Sequence, residues 1–195
     1  MRYIGASTYP AAQIVKAQWV ARERGTARFV CEQPPYSLLA RRIEADVLPT
    51  CLEHDMGVIP WSPLAGGWLS GRWRKGAEHP TSTRAKMIPQ RYDLSIPANQ
   101  AKLEAADALG VLADEAGLSL IALAIAFVIR HPAVTAAIIG PRTLEQLESQ
   151  LGAADVQLDD ALLDRIDAIV APGTNVNPID AGWTNRALAP AARRR

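Results

Sequence analysis

Several features that would identify a protein class at once are missing from this sequence of 195 residues. It has only two cysteines, Cys31 and Cys51, which are too few and too far apart for a disulfide framework or a zinc site. The formal net charge is +1, and the basic residues are spread along the chain except for three at its end. No basic face therefore indicates nucleic-acid binding. We expect neither a metal site nor a nucleic-acid partner.

Long hydrophobic runs are lacking as well. The longest apolar stretch, residues 118–129, is too short to span a bilayer and is interrupted by Ser119. The chain does not open with the charged and then apolar segment of a secretory leader. Together with the scattered cysteines, this pattern favours a cytoplasmic protein without a membrane partner.

The composition that remains is that of an ordinary globular protein, with 49% hydrophobic and 21% charged residues. It predicts one domain over residues 1–183, followed by an irregular tail over residues 184–195. Segments typical of strands alternate four times with helical ones, and such crossovers make neighbouring strands parallel. The predicted strands are 2–7, 28–32, 58–61 and 136–139, and the predicted helices are 10–24, 41–55, 98–116, 119–131, 143–151 and 159–170. The fold class is therefore α/β.

Local signals predict where several of these elements begin and end. Gly25 and Gly57 are expected to close the helices before them, and Ser119 is expected to cap the most apolar helix. Thr143 and Gln146 have the spacing of a capping box, in which both side chains bond free backbone amides. The stretch between the third strand and the next helix, residues 62–97, is rich in Gly, Pro and Arg and is predicted to be a long loop, either a functional lid or disordered.

The carboxyl ends of parallel strands are where ligand-binding groups of such folds are found. Here they offer hydroxyl and amide side chains, one indole and a Gly-Pro-Arg turn before a capped helix. These groups suit a nicotinamide cofactor: amides and hydroxyls can hold its carboxamide, an indole can stack on its ring, and a helix start can hold phosphate. Each group taken singly also has a plain structural interpretation, as a core aromatic, a helix cap or a solvated charge. The usual GxGxxG fingerprint of dinucleotide binding is absent.

Four segments are more specific, and they are RYIGAS at 2–7, VCEQPPY at 30–36, GVIPWSPLAGG at 57–67 and AIIGPRTLEQ at 137–146. In order and spacing they resemble the aldo-keto reductase family, in the branch that includes potassium-channel β subunits and many bacterial reductases. The resemblance extends over residues 2–183. It implies a (β/α)8 barrel of the TIM type, of which this chain has only the last four βα units, a half barrel on the NADP-binding side.

The resemblance also implies an NADP(H) molecule lying extended across the strand ends. From its nicotinamide to its adenosine 2′-phosphate, the implied contacts are Ser7, Thr8, Gln33, Trp61, Ser62, Pro63, Leu64, Ala65, Gly66, Arg72, Arg84, Gly140, Arg142, Gln146 and Gln150. Thr8 stands where the family often has Asn or Arg. Two positions depart from the family pattern, because Ser149 and Gln150 stand where an acidic residue and an asparagine usually contact adenine.

The family's catalytic Asp, Tyr, Lys and His lie on strands before the one with which this chain begins, so the resemblance transfers no catalytic residue. His54, His79 and His131 are expected to be structural or solvated. Three hypotheses remain open. The chain is part of an NADP-dependent reductase of carbonyl compounds, active when completed by the missing half. Alternatively, it is an inactive NADP(H)-binding or interaction module, as a half-barrel homodimer or with a complementing chain, or it is an inert remnant.

Overall fold

A computed structural model of the protein describes residues 1–81, 83–183 and 189–193. Three strands form an open parallel sheet in the order β1 (Ile4–Ala6), β2 (Phe29–Glu32) and β3 (Gly57–Val58). The predicted α/β class with parallel strands is confirmed.

Eight α-helices are present in the described residues. They are α1 (Ala11–Arg24), α2 (Val47–Glu53), α3 (Thr83–Met87), α4 (Pro97–Glu115), α5 (Leu120–Arg130), α6 (Leu144–Leu151), α7 (Asp160–Ile169) and α8 (Pro190–Arg193). Short 3₁₀ turns occur at Arg42–Glu44, Ala65–Gly67, Pro89–Arg91, Gly152–Asp155 and Pro178–Ala181. Along the described chain, no single helix is long and apolar enough to cross a membrane, and α4 with α5 meets the length and composition criteria only as a pair bent by 96°.

The predicted helix ends agree with the structure where a single residue type decides them. Gly25 ends α1 in the left-handed region at φ 61°, and the Ser119 hydroxyl accepts a hydrogen bond from the Ala122 amide at the start of α5. At α6 the Thr143 hydroxyl accepts from the Gln146 amide at 3.2 Å. However, the Gln146 side chain accepts from the Arg142 amide at 2.9 Å. In an ordinary capping box it would accept from the amide of the cap residue itself, which is Thr143 here.

The prediction that Gly57 closes the second helix is wrong. The left-handed residue is Asp55, at φ 52°, and Gly57 begins β3. A Cβ atom at Gly57 would lie 2.6 Å from Oγ1 of Thr135, so glycine allows a close approach there rather than a turn. The helical stretch predicted over 41–55, with a restart or kink at Pro49, is instead divided at Asp46, which leaves the helical region and caps α2 through its carboxylate.

The fourth predicted strand, 136–139, is not a strand in the structure. The segment is joined to β3 and its continuation only by the isolated parallel bridges Val58–Val134 and Trp61–Ile138. Pro60 lies between the two bridges and accepts from the Ile138 amide at 2.8 Å, but it has no amide hydrogen of its own to extend the ladder. The sheet of the described residues therefore has three strands and a loosely attached fourth segment.

Two regions that the sequence left irregular are packed. The long loop contains α3 and two 3₁₀ turns, and Trp68 and Trp73 stack within it at a ring distance of 4.0 Å. The segment after Pro172 bonds to the chain beyond β2, where the Val176 amide donates to the Leu39 carbonyl at 3.0 Å. Both segments therefore contribute to the core that surrounds the carboxyl ends of the strands. Of the predicted tail, residues 184–188, 194 and 195 lie outside the described residues.

Candidate functional site

A cavity of about 390 Å³ opens beside the chain that follows β3. Its wall combines residues after β2, residues just after β3, residues of the long loop, and residues of α4 and the C-terminal segment. Among the lining residues are Trp61, Ser62, Ala65, Gly66, Arg84, Arg91, Tyr92, Lys102 and Asp180. The structure thus brings together five of the residues predicted to bind the cofactor, namely Trp61, Ser62, Ala65, Gly66 and Arg84. We refer to this space as the Trp61 cavity.

The chain that lines this cavity after Trp61 is a tightly wound turn. Ser62, Ala65 and Gly66 have φ angles of 60°, 49° and 70°, all in the left-handed region that side chains other than glycine rarely adopt. The Ala65 amide donates to the Ser62 carbonyl at 2.8 Å and closes the turn. Backbone that alternates between right- and left-handed conformations can direct successive amides into one concavity, which suits an anion. The neighbouring residue, Pro63, is buried.

The residues predicted to hold the carboxamide lie together at the ends of β1 and β2. The Ser7 hydroxyl donates to the Gln33 carbonyl at 2.9 Å, and the Gln33 amide donates to the Ala6 carbonyl at 2.9 Å. Ser7 is exposed and Gln33 is half-buried. Thr8 lines a narrower hollow that adjoins the Trp61 cavity at Pro35, which contributes to the walls of both. The two predicted groups are therefore neighbours along one edge of the sheet.

The third predicted group surrounds the start of α6. Arg142 is exposed, whereas Gln150 is 7% exposed and its amide donates to the Gln146 carbonyl at 2.8 Å. The bridge between Trp61 and Ile138 brings the chain that leads to Gly140 beside the end of β3. Gly140, Arg142, Gln146 and Gln150 themselves do not line the Trp61 cavity.

Arg72, predicted to cover the pyrophosphate, also lies outside the Trp61 cavity. It is exposed, and its Nε donates to the Ser70 hydroxyl at 3.3 Å. Arg84 differs from Arg72 in lining the cavity, where its guanidinium lies 3.8 Å from the point that a Cβ atom on Gly66 would occupy. The structure thus distinguishes two arginines that the sequence treated alike.

Sequence reasoning missed a buried ion pair in the wall of the Trp61 cavity. The Lys102 ammonium lies 2.7 Å from the Asp180 carboxylate and 4.8 Å from the centre of the Trp68 ring, and its side chain is 1% exposed. Burial lowers the pKa of Lys102, which the charge of Asp180 opposes. One signal was available in the sequence, since Lys102 falls on the apolar face of α4 with Ala106 and Leu109.

Tyr92 joins the long loop to the turn after β3. Its hydroxyl donates to the Gly66 carbonyl at 2.9 Å, and its ring lies parallel to that of Trp68 with centres 5.8 Å apart. Burial raises the pKa of Tyr92, against the charges of Arg84 and Arg91. The tyrosine therefore acts as a neutral hydrogen-bond donor that fixes one wall of the cavity.

The histidines lie in structural positions rather than in a metal cluster. Nδ1 of His131 accepts from the Ala133 amide at 3.2 Å, and His79 stacks on Trp73 at 5.3 Å. Within the described residues, no group of three His, Cys, Asp or Glu side chains could hold a metal ion. The arrangement at the strand ends is thus one of hydrogen-bonding groups, aromatic rings and cations.

Comparison with known proteins gives a consistent set of matches. A model described as the aldo/keto reductase family matches residues 1–171. An uncharacterized oxidoreductase, YrpG, of Bacillus subtilis (strain 168) is 38% identical over 182 residues, which cover 93% of this chain and 52% of that protein.

Two further curated proteins show the range of the matches. A probable voltage-gated potassium channel subunit beta of Arabidopsis thaliana is 32% identical over 171 residues, covering 86% of this chain and 52% of its own. A versiconal hemiacetal acetate reductase of Aspergillus parasiticus is 30% identical over 159 residues, covering 80% and 45%. The chain spans about half the length of the curated relatives it matches.

Proposed function

This chain belongs to the aldo/keto reductase family, and from that premise we propose that it is the NADP(H)-binding part of an oxidoreductase that reduces aldehydes or ketones. Its length, about half that of its relatives, supports a fold of the last four βα units of the family's (β/α)8 barrel over residues 1–183, with a tail over 184–195. Its unpaired cysteines, one of them buried, support a reducing location such as the cytoplasm.

The observation that supports this proposal best is the Trp61 cavity. An indole, a left-handed turn and the guanidinium of Arg84 line one space, and a dinucleotide needs a flat surface for its ring and positive or amide groups for its phosphates. The place of Gly66 fits such a ligand. A Cβ atom there would approach the Tyr92 hydroxyl to 2.8 Å, so the turn is as close to the long loop as glycine allows.

Each group of residues has a separate part in the proposed binding. Trp61 supports the nicotinamide ring, while Ser7, Thr8 and Gln33 hold its carboxamide and thereby fix which ring face is presented. Ser62, Pro63, Leu64, Ala65 and Gly66 line the pyrophosphate, with Arg84 and, from farther away, Arg72. Gly140, Arg142, Gln146 and Gln150 meet the adenosine, and the charge of Arg142 favours the 2′-phosphate of NADP(H) over NAD(H).

When bound, NADPH would supply the hydride that reduces the substrate carbonyl, and Ser7, Gln33 and Trp61 would hold its nicotinamide in place. The proton for the carbonyl oxygen is proposed to come from a tyrosine of a further segment, which would also supply the Asp, Lys and His of the family. The 195 residues alone are accordingly proposed to bind the cofactor without reducing a substrate. The carbonyl compound is the small-molecule partner of the completed protein.

Calorimetric titration of the purified chain with NADPH tests this proposal. We expect saturable binding, and a loss of about tenfold in affinity for Trp61→Ala, since stacking of a base on an aromatic side chain contributes about 1–3 kcal/mol. Trp19→Ala is the matched control, because Trp19 lies on α1, 61% exposed, and lines no part of the Trp61 cavity. A chain that is folded by circular dichroism yet binds no NADPH would contradict the proposal.

A second candidate function is an interaction module in which two half barrels pair. The open side of β1 favours it: among the described residues β1 pairs only with β2, and a cavity of about 460 Å³ lies between β1 and α1. Tyr3, just before β1, and Trp19, on α1, are 76% and 61% exposed. An edge strand leaves backbone N–H and C=O groups unpaired, and a partner can cover them. The partner proposed here is a second copy of the chain or a complementing half barrel.

Light scattering coupled to size exclusion tests the homodimer. A dimer that dissociates in Tyr3→Glu, while Glu53→Lys on the exposed side of α2 remains dimeric, would support it. A monomer at all concentrations that still binds NADPH would exclude the homodimer and leave the reductase proposal intact.

A further inference from the structure

Glu32 is a buried carboxylate that the proposed cofactor contacts do not use. It is the last residue of β2, directly before Gln33, and it is 0% exposed. Its Oε1 atom accepts a hydrogen bond from the Tyr9 amide at 3.0 Å, while Oε2 has no partner among the described residues. A carboxylate with an unpaired oxygen is costly in such a place, where an apolar side chain of similar size would give a more stable fold.

The amide that Glu32 accepts belongs to a turn with unusual backbone geometry. Thr8, at the start of this turn, has φ 59°, a left-handed conformation that is strained for a β-branched residue. Such a conformation persists only where its surroundings hold it. The Glu32 side chain is the acceptor placed to do so, because its Oε1 atom accepts from the amide of Tyr9, the residue after Thr8. Burial raises the pKa of Glu32, and the hydrogen bond from the Tyr9 amide opposes that shift.

The same strand end also fixes the residue on the other side of the turn. The Ser7 hydroxyl donates to the Gln33 carbonyl at 2.9 Å, and the Gln33 amide donates to the Ala6 carbonyl at 2.9 Å. Strand β2 therefore holds the β1 turn from two sides, through the backbone of Gln33 and through the side chain of Glu32. Ser7, between these two attachments, has one position relative to Gln33.

We propose that Glu32 is a positioning residue for the nicotinamide carboxamide. It holds the turn at Thr8 and Tyr9 so that the hydroxyl of Ser7 and the side-chain amide of Gln33 face one ligand group. This inference rests on the proposed function, because it assigns to Ser7 and Gln33 the contacts suggested there. Glu32 does not touch the ligand itself, since it lines none of the three cavities at the strand ends and along β1.

Two ligands separate this role from a general structural one. NADPH has the nicotinamide, whereas 2′-phospho-ADP-ribose keeps the adenosine, the pyrophosphate and the 2′-phosphate but has no nicotinamide. We expect Glu32→Met, which keeps the length of the side chain without an acceptor, to weaken NADPH binding about tenfold and 2′-phospho-ADP-ribose binding less than about twofold. Its melting temperature is expected to stay equal or rise, because an unpaired buried carboxyl oxygen is removed.

Rescue and control variants complete the test. Glu32→Gln keeps a carbonyl oxygen for the Tyr9 amide and is expected to restore most of the NADPH affinity. Glu53→Met changes an exposed glutamate at the end of α2, and we expect it to change the affinity for neither ligand. Equal weakening of both ligands by Glu32→Met, unchanged binding of both, or failure of this variant to fold would overturn the inference. If the unaltered chain binds neither ligand, the proposed function fails. If it binds both and Glu32→Met does not weaken NADPH more than 2′-phospho-ADP-ribose, only the role of Glu32 is overturned.

Discussion

The connections that follow β2 and β3 start side by side and differ in how many of their side chains are exposed. In the β2 connection, residues 33–46, all side chains from 34 to 41 are buried. In the β3 connection, residues 59–96, Arg84 is exposed and Met87 is 76% exposed. The buried Tyr36 and Arg41 of the first connection bond to carboxylates of the protein, whereas the second connection presents cations and a strained turn to a cavity. The difference separates residues that hold the fold from residues that can bind a ligand.

Arg41 is the centre of the β2 connection. It is 4% exposed, and its guanidinium lies 2.9 Å from the Glu44 carboxylate and 2.7 Å from that of Asp167 on α7. The Tyr36 hydroxyl donates to the same Glu44 at 2.7 Å, and burial raises the pKa of Tyr36 far above its ordinary value. These bonds tie the β2 connection to α7 and occupy the buried Tyr36 hydroxyl and Arg41 Nε and Nη1.

Removal of this guanidinium is expected to have the largest effect. Arg41→Met leaves Glu44 and Asp167 without their counter-charge, and breaking a buried pair in this way costs about 3–5 kcal/mol. Urea denaturation should show a loss of this size or a chain that does not fold. Arg130→Met, which breaks an exposed pair with Asp160, should cost less than about 1 kcal/mol. Equal losses would mean that the bonds of Arg41 hold the β2 connection no more firmly than an exposed ion pair would.

The turn of the β3 connection is expected to be the next most sensitive. Gly66 and Gly76 have φ 70° and 74°, but a Cβ atom at Gly66 would meet the Tyr92 hydroxyl at 2.8 Å, whereas one at Gly76 would meet open space. Gly76→Ala should therefore cost about 1 kcal/mol from backbone strain alone, and Gly66→Ala about 1 kcal/mol more. Urea denaturation measures both. A similar loss in the two variants would mean that Tyr92 does not constrain this turn.

Two arginines of the β3 connection give a smaller effect, in binding. Arg84→Ala should weaken NADPH about tenfold and reduce the dependence of its affinity on salt, because a charge-assisted bond to phosphate is lost. Arg72→Ala should change the affinity less than about twofold, since Arg72 lies outside the Trp61 cavity. Calorimetry at two salt concentrations measures both. The reverse ranking would assign the phosphate to a different part of the loop.

The smallest effect concerns pH and the β2 connection. Burial lowers the pKa of His131, which packs edge-on against Tyr36, while the charge of Glu44 opposes the shift. Below the ordinary histidine pKa of about 6.5, the folded state then binds fewer protons than the unfolded state. The contribution of His131 to the free energy of unfolding is therefore complete above that pH and decreases below it. In His131→Asn, the loss of unfolding free energy between pH 7.5 and 5 should be smaller than in the unaltered chain. An equal loss in both would show that His131 does not titrate differently on folding.

Local signals were enough to predict much of the fold. Gly25, Ser119 and Thr143 set helix ends through their own backbone freedom or side-chain oxygen, which sequence alone displays. The prediction that Gly57 ends a helix was wrong because a glycine can allow either a turn or a close approach between segments. Only the position of Thr135 in the fold decides between the two. The fourth strand failed for a similar reason, since its ladder depends on Pro60 of another segment.

The candidate site divides in the same way. The sequence pointed to Trp61 and Arg84 through its strand ends and family resemblance, and the structure brings them to one cavity. It could not separate Arg84 from Arg72, because their places depend on how the long loop folds around Trp68 and Trp73. Lys102 and Asp180 are 78 residues apart in the chain, so their pairing required the fold itself.

The most direct test of a cofactor site in the Trp61 cavity is to record the indole N–H signals of the five tryptophans by nuclear magnetic resonance during NADPH titration. The assignment of each signal comes from single Trp→Phe variants. NADPH binding in the Trp61 cavity should shift the Trp61 signal saturably and leave that of Trp19 unchanged. No saturable shift, or one confined to Trp19 on α1, would contradict a cofactor site in this cavity.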